Sequence, residues 1–265
     1  MSGRGVAGSG VVVAVLLAVL TAAHAESSLD DLRARGVLRV GVKTDAPPFG
    51  SRDVHGRPVG FEIDLARYLA RVLFDDERRA RLVPVTTATR FAELQAGRVD
   101  LLIATVTATD ERRRLAELSE PYFVSASLVL VPAASAVDGV GALAARRVTV
   151  IRGSVQERDV AQWQPRALLT AVGSVAEGAR AVKGGQADAF VYDDVTLLTL
   201  AQHDPALRVT GGPLAPRGYV AAARKGDAGL IRWLDGWLAR MRRDGSYVEI
   251  WRRHFRAFEG RLVGS

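Results

Sequence analysis

Short apolar runs that stop at glycine, proline or a polar cluster alternate along this chain with segments of helical periodicity, and the alternation occurs twice. That pattern demands βαβ units. In the first round "GVLRVGVKTDAPPFG" begins as a strand and stops at Pro47-Pro48, where a backbone donor is lost. In "GRPVGFEIDLARYLARVL" the residues Phe61, Leu65, Leu69, Val72 and Leu73 fall on one helical face, with Glu62 and Asp64 in the dipole-favoured first turn. "RLVPV" at 81–85 reads as a strand, "RFAELQAG" as a helix stopped by Gly97, and "VDLLIAT" as a strand.

The second round starts with a strand in "RRVTVI" at 146–151. A helix in "SVQERDVAQW", a strand in "ALLTAV" and a helix in "VAEGARAVKGG" follow. "ADAFVY" is then a strand, "DVTLLTLAQHD" a helix and "LRVTGG" a strand. The tail places Ile231, Leu234, Trp237, Leu238 and Met241 at helical spacing, and Gly245 separates it from a last helix bearing Tyr247, Ile250 and Trp251. These aromatic stripes read as core packing. The expected architecture is α/β, with two mostly parallel sheets flanked by helices.

Composition narrows the chemistry. The N-terminal "MSGRGVAGSGVVVAVLLAVLTAAHAESS" has one arginine, an apolar run over 11–20 and Ala23-His24-Ala25, the three-part pattern of a cleavable secretory signal. The apolar run is too short for a comfortable membrane span, and with no cysteine the chain has no acylation site for a lipoprotein anchor. Cleavage after Ala25 leaves 240 residues with a net charge of +6, enough for one or two domains. Without cysteine there are no disulfides or thiolate metal sites. His55, His203 and His254 stand apart in sequence, which leaves little for a catalytic triad or a histidine-rich metal centre. The arginines are scattered among acids with no interleaved aromatics, so the basic balance reads as a solvated surface rather than a nucleic-acid interface.

Two strand ends break the apolar pattern. The run 99–104 opens into Thr105, Thr107 and Thr109, followed by Asp110, Glu111 and Arg112. In the second round "AVKGGQADAFVYDD" ends its strand in Asp193 and Asp194. Ligands of open α/β sheets bind beyond the carboxyl ends of the strands. One unit then offers a cation with hydroxyls and the other a carboxylate, a pair that an α-amino acid would bridge. Simpler readings exist for each residue. Arg112 could form a surface ion pair with Asp110 or Glu111, Ser154 could be an ordinary helix cap, and Asp193 or Asp194 could equally cap a helix.

The stretches "LRVGVKTDAPPF", "VGFEIDLARYLA", "LQAGRVDLLIATVTATDERRR", "SEPYF", "VTVIRGSVQ", "GGQADAFVYDD" and "RRDGSYVEIWRRHF" occur in this order and together resemble the extracellular solute-binding proteins of polar amino-acid ABC transporters. The resemblance implies a two-lobed periplasmic-binding-protein fold of the second type, the lobes closing like a jaw and delivering the ligand to a membrane permease from the periplasm. It implies one lobe of residues 29–125 plus 214–257 and another of 126–213, no catalytic residues, no cofactor or metal, and a monomer. It further implies that Arg112 grips the ligand carboxylate and Asp193 its ammonium, with Thr105, Thr107 and Ser154 around them. Two departures bear on the ligand. Ala46 stands where many members carry an aromatic, and Lys43 where many carry an acid. Lys43 and Arg90 match basic residues of the glutamate/aspartate-binding branch, and two buried cations without partners would suit an anionic side chain, so glutamate or aspartate is expected first and glutamine next. A few relatives of this fold are dehydratases of small carboxylates, which would need a general acid such as Glu157 or Asp193. A sensory ectodomain would need a second hydrophobic span or a fused partner.

Overall fold

The computed structural model describes residues 29–260 and residue 262. The expected signal at 1–25 lies outside the described residues. The first round of the pattern gives α1 (Leu29–Arg35), β1 (Leu38–Val42), the short hairpin β2 (Ser51–Arg52) and β3 (Pro58–Val59), α2 (Phe61–Phe74), β4 (Ala80–Pro84), α3 (Arg90–Gln95) and β5 (Leu101–Ile103). The chain then forms α4 (Asp110–Leu115), β6 (Ala116–Leu118) and a ten-residue strand, β7 (Phe123–Pro132). The second round gives β8 (Arg147–Ile151), α5 (Val155–Trp163), β9 (Leu168–Val172), α6 (Val175–Lys183), β10 (Ala189–Asp193), α7 (Asp194–His203) and the long β11 (Leu207–Tyr219). The chain closes with β12 (Ala222–Arg224), α8 (Ala228–Asp244) and α9 (Ser246–Phe255).

Two five-stranded sheets result, ordered β4-β1-β5-β12-β6 and β11-β7-β10-β8-β9. The rounds read from sequence supply the parallel half of each sheet, β4-β1-β5 and β10-β8-β9. The other half differs from the mostly parallel expectation: β12 and β6 join the first sheet antiparallel, and β7 and β11 join the second antiparallel. Each sheet is therefore mixed.

Period-2 burial gives each sheet two apolar faces. In the first, Leu101 and Ile103 face α2 and α8 through one cluster while Leu102 and Ala104 face Leu94 and Phe91 through another. In the second, Leu128, Leu130 and Phe190 take one face and Val129, Val131 and Val191 the other. Helices cover both faces, so each unit is a lobe with its own core. The α8 stripe expected from sequence is buried at Ile231, Leu234, Leu238 and Met241. The paired strands β7 and β11 run from the second sheet to the first, where Phe123 and Tyr219 are opposite one another and Phe123 packs 5.0 Å from Phe49 and 4.9 Å from Phe255 between ring centres. The carboxyl ends of β5, β8 and β10 carry the residues described next.

Candidate functional site

Beyond β5 the backbone takes an unusual turn. Thr105 has φ +49°, a left-handed conformation that a β-branched residue adopts only when its surroundings impose it. Two groups impose it here. The buried Glu62 carboxylate accepts from the Thr105 N–H at 2.6 Å, and the Arg90 guanidinium donates to the carbonyls of Ala104 and Thr105 at 2.6 and 3.0 Å. The chain then passes Thr107 to Thr109, whose hydroxyl caps α4 by accepting from the Arg112 N–H at 3.2 Å. That short helix turns the Arg112 side chain back between the lobes, 8% exposed, where it donates to Thr107 O at 2.8 Å and across the cleft to Gly153 O at 3.2 Å. The expected alternative, a surface pair with Asp110 or Glu111, is not what forms; Glu111 faces Arg158 instead, at 3.4 Å.

In the second lobe the two adjacent aspartates separate. Asp194 accepts from Ser125 Oγ at 2.7 Å and from the Val195 N–H at 2.8 Å, so it is the carboxylate that serves the helix end. Asp193 makes no side-chain cap and points into the cleft, where Gln156 Nε2 donates to it at 2.8 Å. Ser154 does cap α5, accepting from the Glu157 N–H at 3.4 Å, while Glu157 accepts from the Gly153 N–H at 2.8 Å. The hydroxyl of Ser154 thus already has a structural task, and Gly153 N–H is not available to a ligand.

Arg90, Thr105, Thr107, Arg112, Ser154 and Asp193 line one small cavity between the lobes, with Thr87, Gln156 and Tyr192. It offers about 10 Å³ to the centre of a water-sized sphere, room for about one water. An open groove of about 400 Å³ at its mouth shares Thr87, Arg112 and Ser154. A groove of similar size, about 410 Å³, lies away from this cleft against α9, lined in part by rings such as Tyr247 and Trp251, and holds none of the strand-end residues.

Lys43 departs from expectation. It is fully buried but does not line the cavity; its ammonium sits 2.8 Å from Asp45 and donates to Thr87 Oγ1 at 3.0 Å. The expectation of two unpartnered cations therefore holds only for Arg90, which makes no ion pair among the described residues and whose Nε–H has no acceptor. A carboxylate two residues along the same loop was available to Lys43, and burial drives such pairing.

Burial governs the electrostatics. Desolvation pushes Asp193 up to about 6, opposed by neighbouring donors, and pulls Arg112 down to about 9, helped by the nearby Arg90. Lys43 and Arg90 are also lowered by burial. Glu62 is pushed up to about 7 by burial despite the Tyr122 hydroxyl and Thr105 N–H that it accepts. Sequence reasoning missed the site roles of Glu62 and Gln156. Glu62 looked like a dipole-favoured first-turn acid, although its place beside Phe61 and Ile63 put it on the buried side; Gln156 had the signal of following Gly153-Ser154 at a strand's carboxyl end. Among the described residues no three His, Cys, Asp or Glu side chains gather as a metal site requires.

Residues 38–257 match the model of the bacterial extracellular solute-binding proteins, family 3. The chain belongs to this family. The ABC transporter glutamine-binding protein GlnH of Bacillus subtilis is 32% identical over 87% of this chain and 86% of its own. The solute receptor for L-cysteine of Neisseria gonorrhoeae has the same fold, with a TM-score of 0.85 at 26% identity over 89% of this chain and 97% of that one. An ancestral amino acid-binding protein, a precursor of cyclohexadienyl dehydratase, superposes with a TM-score of 0.79 at 31% identity over 86% of this chain and 99% of that one. The chain is accordingly an amino-acid-binding component of an ABC transporter, working outside the cytoplasm with a membrane permease, and not an enzyme.

Proposed function

We propose that this family member, freed of residues 1–25 and acting as a monomer, binds glutamate or aspartate, with glutamine next, by closing its lobes on the ligand. The lobes are residues 29–125 plus 214–257 and residues 126–213, joined through β7 and β11. Arg112 takes the α-carboxylate through a bidentate guanidinium grip. Asp193 takes the ammonium, and Thr105, Thr107 and Ser154 supply hydroxyls around the two.

The observation that carries this reading is the pairing across one cavity of a buried guanidinium from the first lobe with a buried carboxylate from the second. The side chain of the ligand is read by Arg90. Its guanidinium is buried with only carbonyl partners and an unmatched Nε–H, so an anionic group is the acceptor that best compensates it. Lys43 contributes positive charge from behind Thr87, but Asp45 neutralises much of it. That pairing, together with the glutamine-binding relative from Bacillus, brings glutamine close behind glutamate.

A thermal-shift screen of the mature protein against the amino acids tests the order, because a ligand bound only to the folded state raises the melting temperature. Glutamate, aspartate and glutamine are expected to give the large shifts. A large shift with arginine and none with glutamate would overturn the proposal.

A further inference from the structure

We propose that Gln156 is a positioning residue that keeps the Asp193 carboxylate ionised and aimed into the cleft. The inference rests on the reading that Asp193 receives the ligand's ammonium, and adds the group on which that reception depends. Gln156 lies in the first turn of α5 and is 2% exposed. Its Nε2 donates to Asp193 Oδ1 at 2.8 Å and to Ser127 Oγ at 3.0 Å. An ionised carboxylate can only accept, so the amide must turn its nitrogen toward Asp193, and Ser127 on β7 fixes that rotamer from the other side.

Among the described side chains around Asp193, Gln156 is the one that donates to it with ordinary hydrogen-bond geometry. The Tyr219 hydroxyl from β11 also faces the carboxylate and favours its ionised form at least as strongly as Gln156, but without a hydrogen bond of ordinary geometry it does not fix the direction in which the carboxylate points. Asp194, next in sequence, repels the charge while its own oxygen is held by Ser125 and the Val195 N–H. Arg90 from α3 attracts the charge, and Arg112 from α4 and Lys43 beyond β1 feel it in turn, as does the Tyr192 hydroxyl on β10. The two guanidiniums are committed to backbone carbonyls. A protonated Asp193 would present a neutral group to an ammonium, and burial already favours that form. The Gln156 N–H opposes it by bonding to the anion.

The test uses Gln156→Met, of similar length and without a donor. The Asp193 carboxyl titration, followed by carbon-13 NMR without ligand, is expected to move up by about one pH unit, equivalent to tenfold in the proton equilibrium. Glutamate titrations from pH 5 to 8.5 should show the acid limb of binding moving up equally, with about tenfold weaker binding on that limb and near wild-type affinity at pH 8.5. An unchanged Asp193 titration, or a loss of affinity equal at every pH, would overturn the positioning role. Ser127→Ala, which frees the amide without touching the cleft charge, is the second variant and should shift the titration in the same direction; no shift there counts equally against the proposal. Asp193→Asn separates the two levels: wild-type affinity in that protein would overturn the site reading itself, and the inference with it.

Discussion

Arg112 and Glu62 show how burial gives single residues their weight. Arg112 is held by two carbonyls, one from each lobe, in a cleft that strips it of water. Truncating one partner of a buried charge pair, as Arg112 would form with the carboxylate of the proposed ligand, costs on the order of 2–5 kcal/mol of binding. Arg112→Ala is therefore expected to fold and to lose tens- to thousandsfold in glutamate affinity by calorimetry; an unchanged affinity would remove Arg112 from the site. Glu62 makes a prediction about stability. Its folded-state pKa of about 7 lies above its ordinary value, so the folded protein binds more protons than the unfolded chain between those limits. Stability from this group is present at low pH and is lost as pH rises toward 7. Glu62→Gln keeps an acceptor for Thr105 N–H and Tyr122 O–H but cannot ionise. Its stability relative to wild type should rise with pH, by on the order of 3 kcal/mol in all, and level off above about 7. Urea denaturation at pH 5 and pH 8 measures this, and an equal difference at both values would contradict it.

The elements differ in how openly the sequence declares them. The α8 stripe was readable because one face is buried at a period of 3.6, and β5, β8 and β10 because short apolar runs bounded by turn residues mark strands buried on both faces. The strand ends were readable too, since Thr105 and Asp193 interrupt apolar runs. β7 was not: Ser125 and Ser127 interrupt the apolar run of "FVSASLVLVP", although the strand is buried over most of its length. β11 was read only over 207–212; Gly211, Gly212, Pro213 and Pro216 hid its continuation to Tyr219, which it tolerates as an edge strand with two register shifts. The sheets looked mostly parallel because β7, β6 and β12, which bring in the antiparallel pairings, were not read as strands. The Lys43–Asp45 pair was hidden for another reason, because which of several nearby acids meets a cation depends on how a loop folds. Packing at the element scale gives a sharp test in α6. A Cβ on Gly178 would meet the Phe190 ring at 2.8 Å. Alanine gains about 1 kcal/mol of helix propensity, but overpacking a core costs roughly 1–3 kcal/mol. Gly178→Ala is expected to lower the denaturation midpoint, and a raised midpoint would show that the ring moves aside freely.

At the scale of the molecule the lobes are in contact across the cleft. Arg112 reaches Gly153 O, Arg158 meets Glu111, and a Cβ on Gly153 would lie 3.5 Å from Ala88 Cα. The cavity between them offers about 10 Å³, too little for an amino acid, so the proposed binding requires the lobes to separate. The bridge between Arg158 and Glu111 is exposed and such pairs are worth roughly 0–1 kcal/mol, which leaves the ligand to stabilise closure. Small-angle scattering should therefore give a smaller radius of gyration with saturating glutamate than without; identical profiles would count against closure. In the proposed closed form one ligand is held by its carboxylate in one lobe and its ammonium in the other. Calorimetric titration at pH 8 with glutamate and with glutarate, which keeps both carboxylates and lacks the ammonium, isolates the Asp193 half of that grip. One glutamate per chain is expected, with glutarate at least about thirtyfold weaker. Glutarate binding as tightly as glutamate would contradict it.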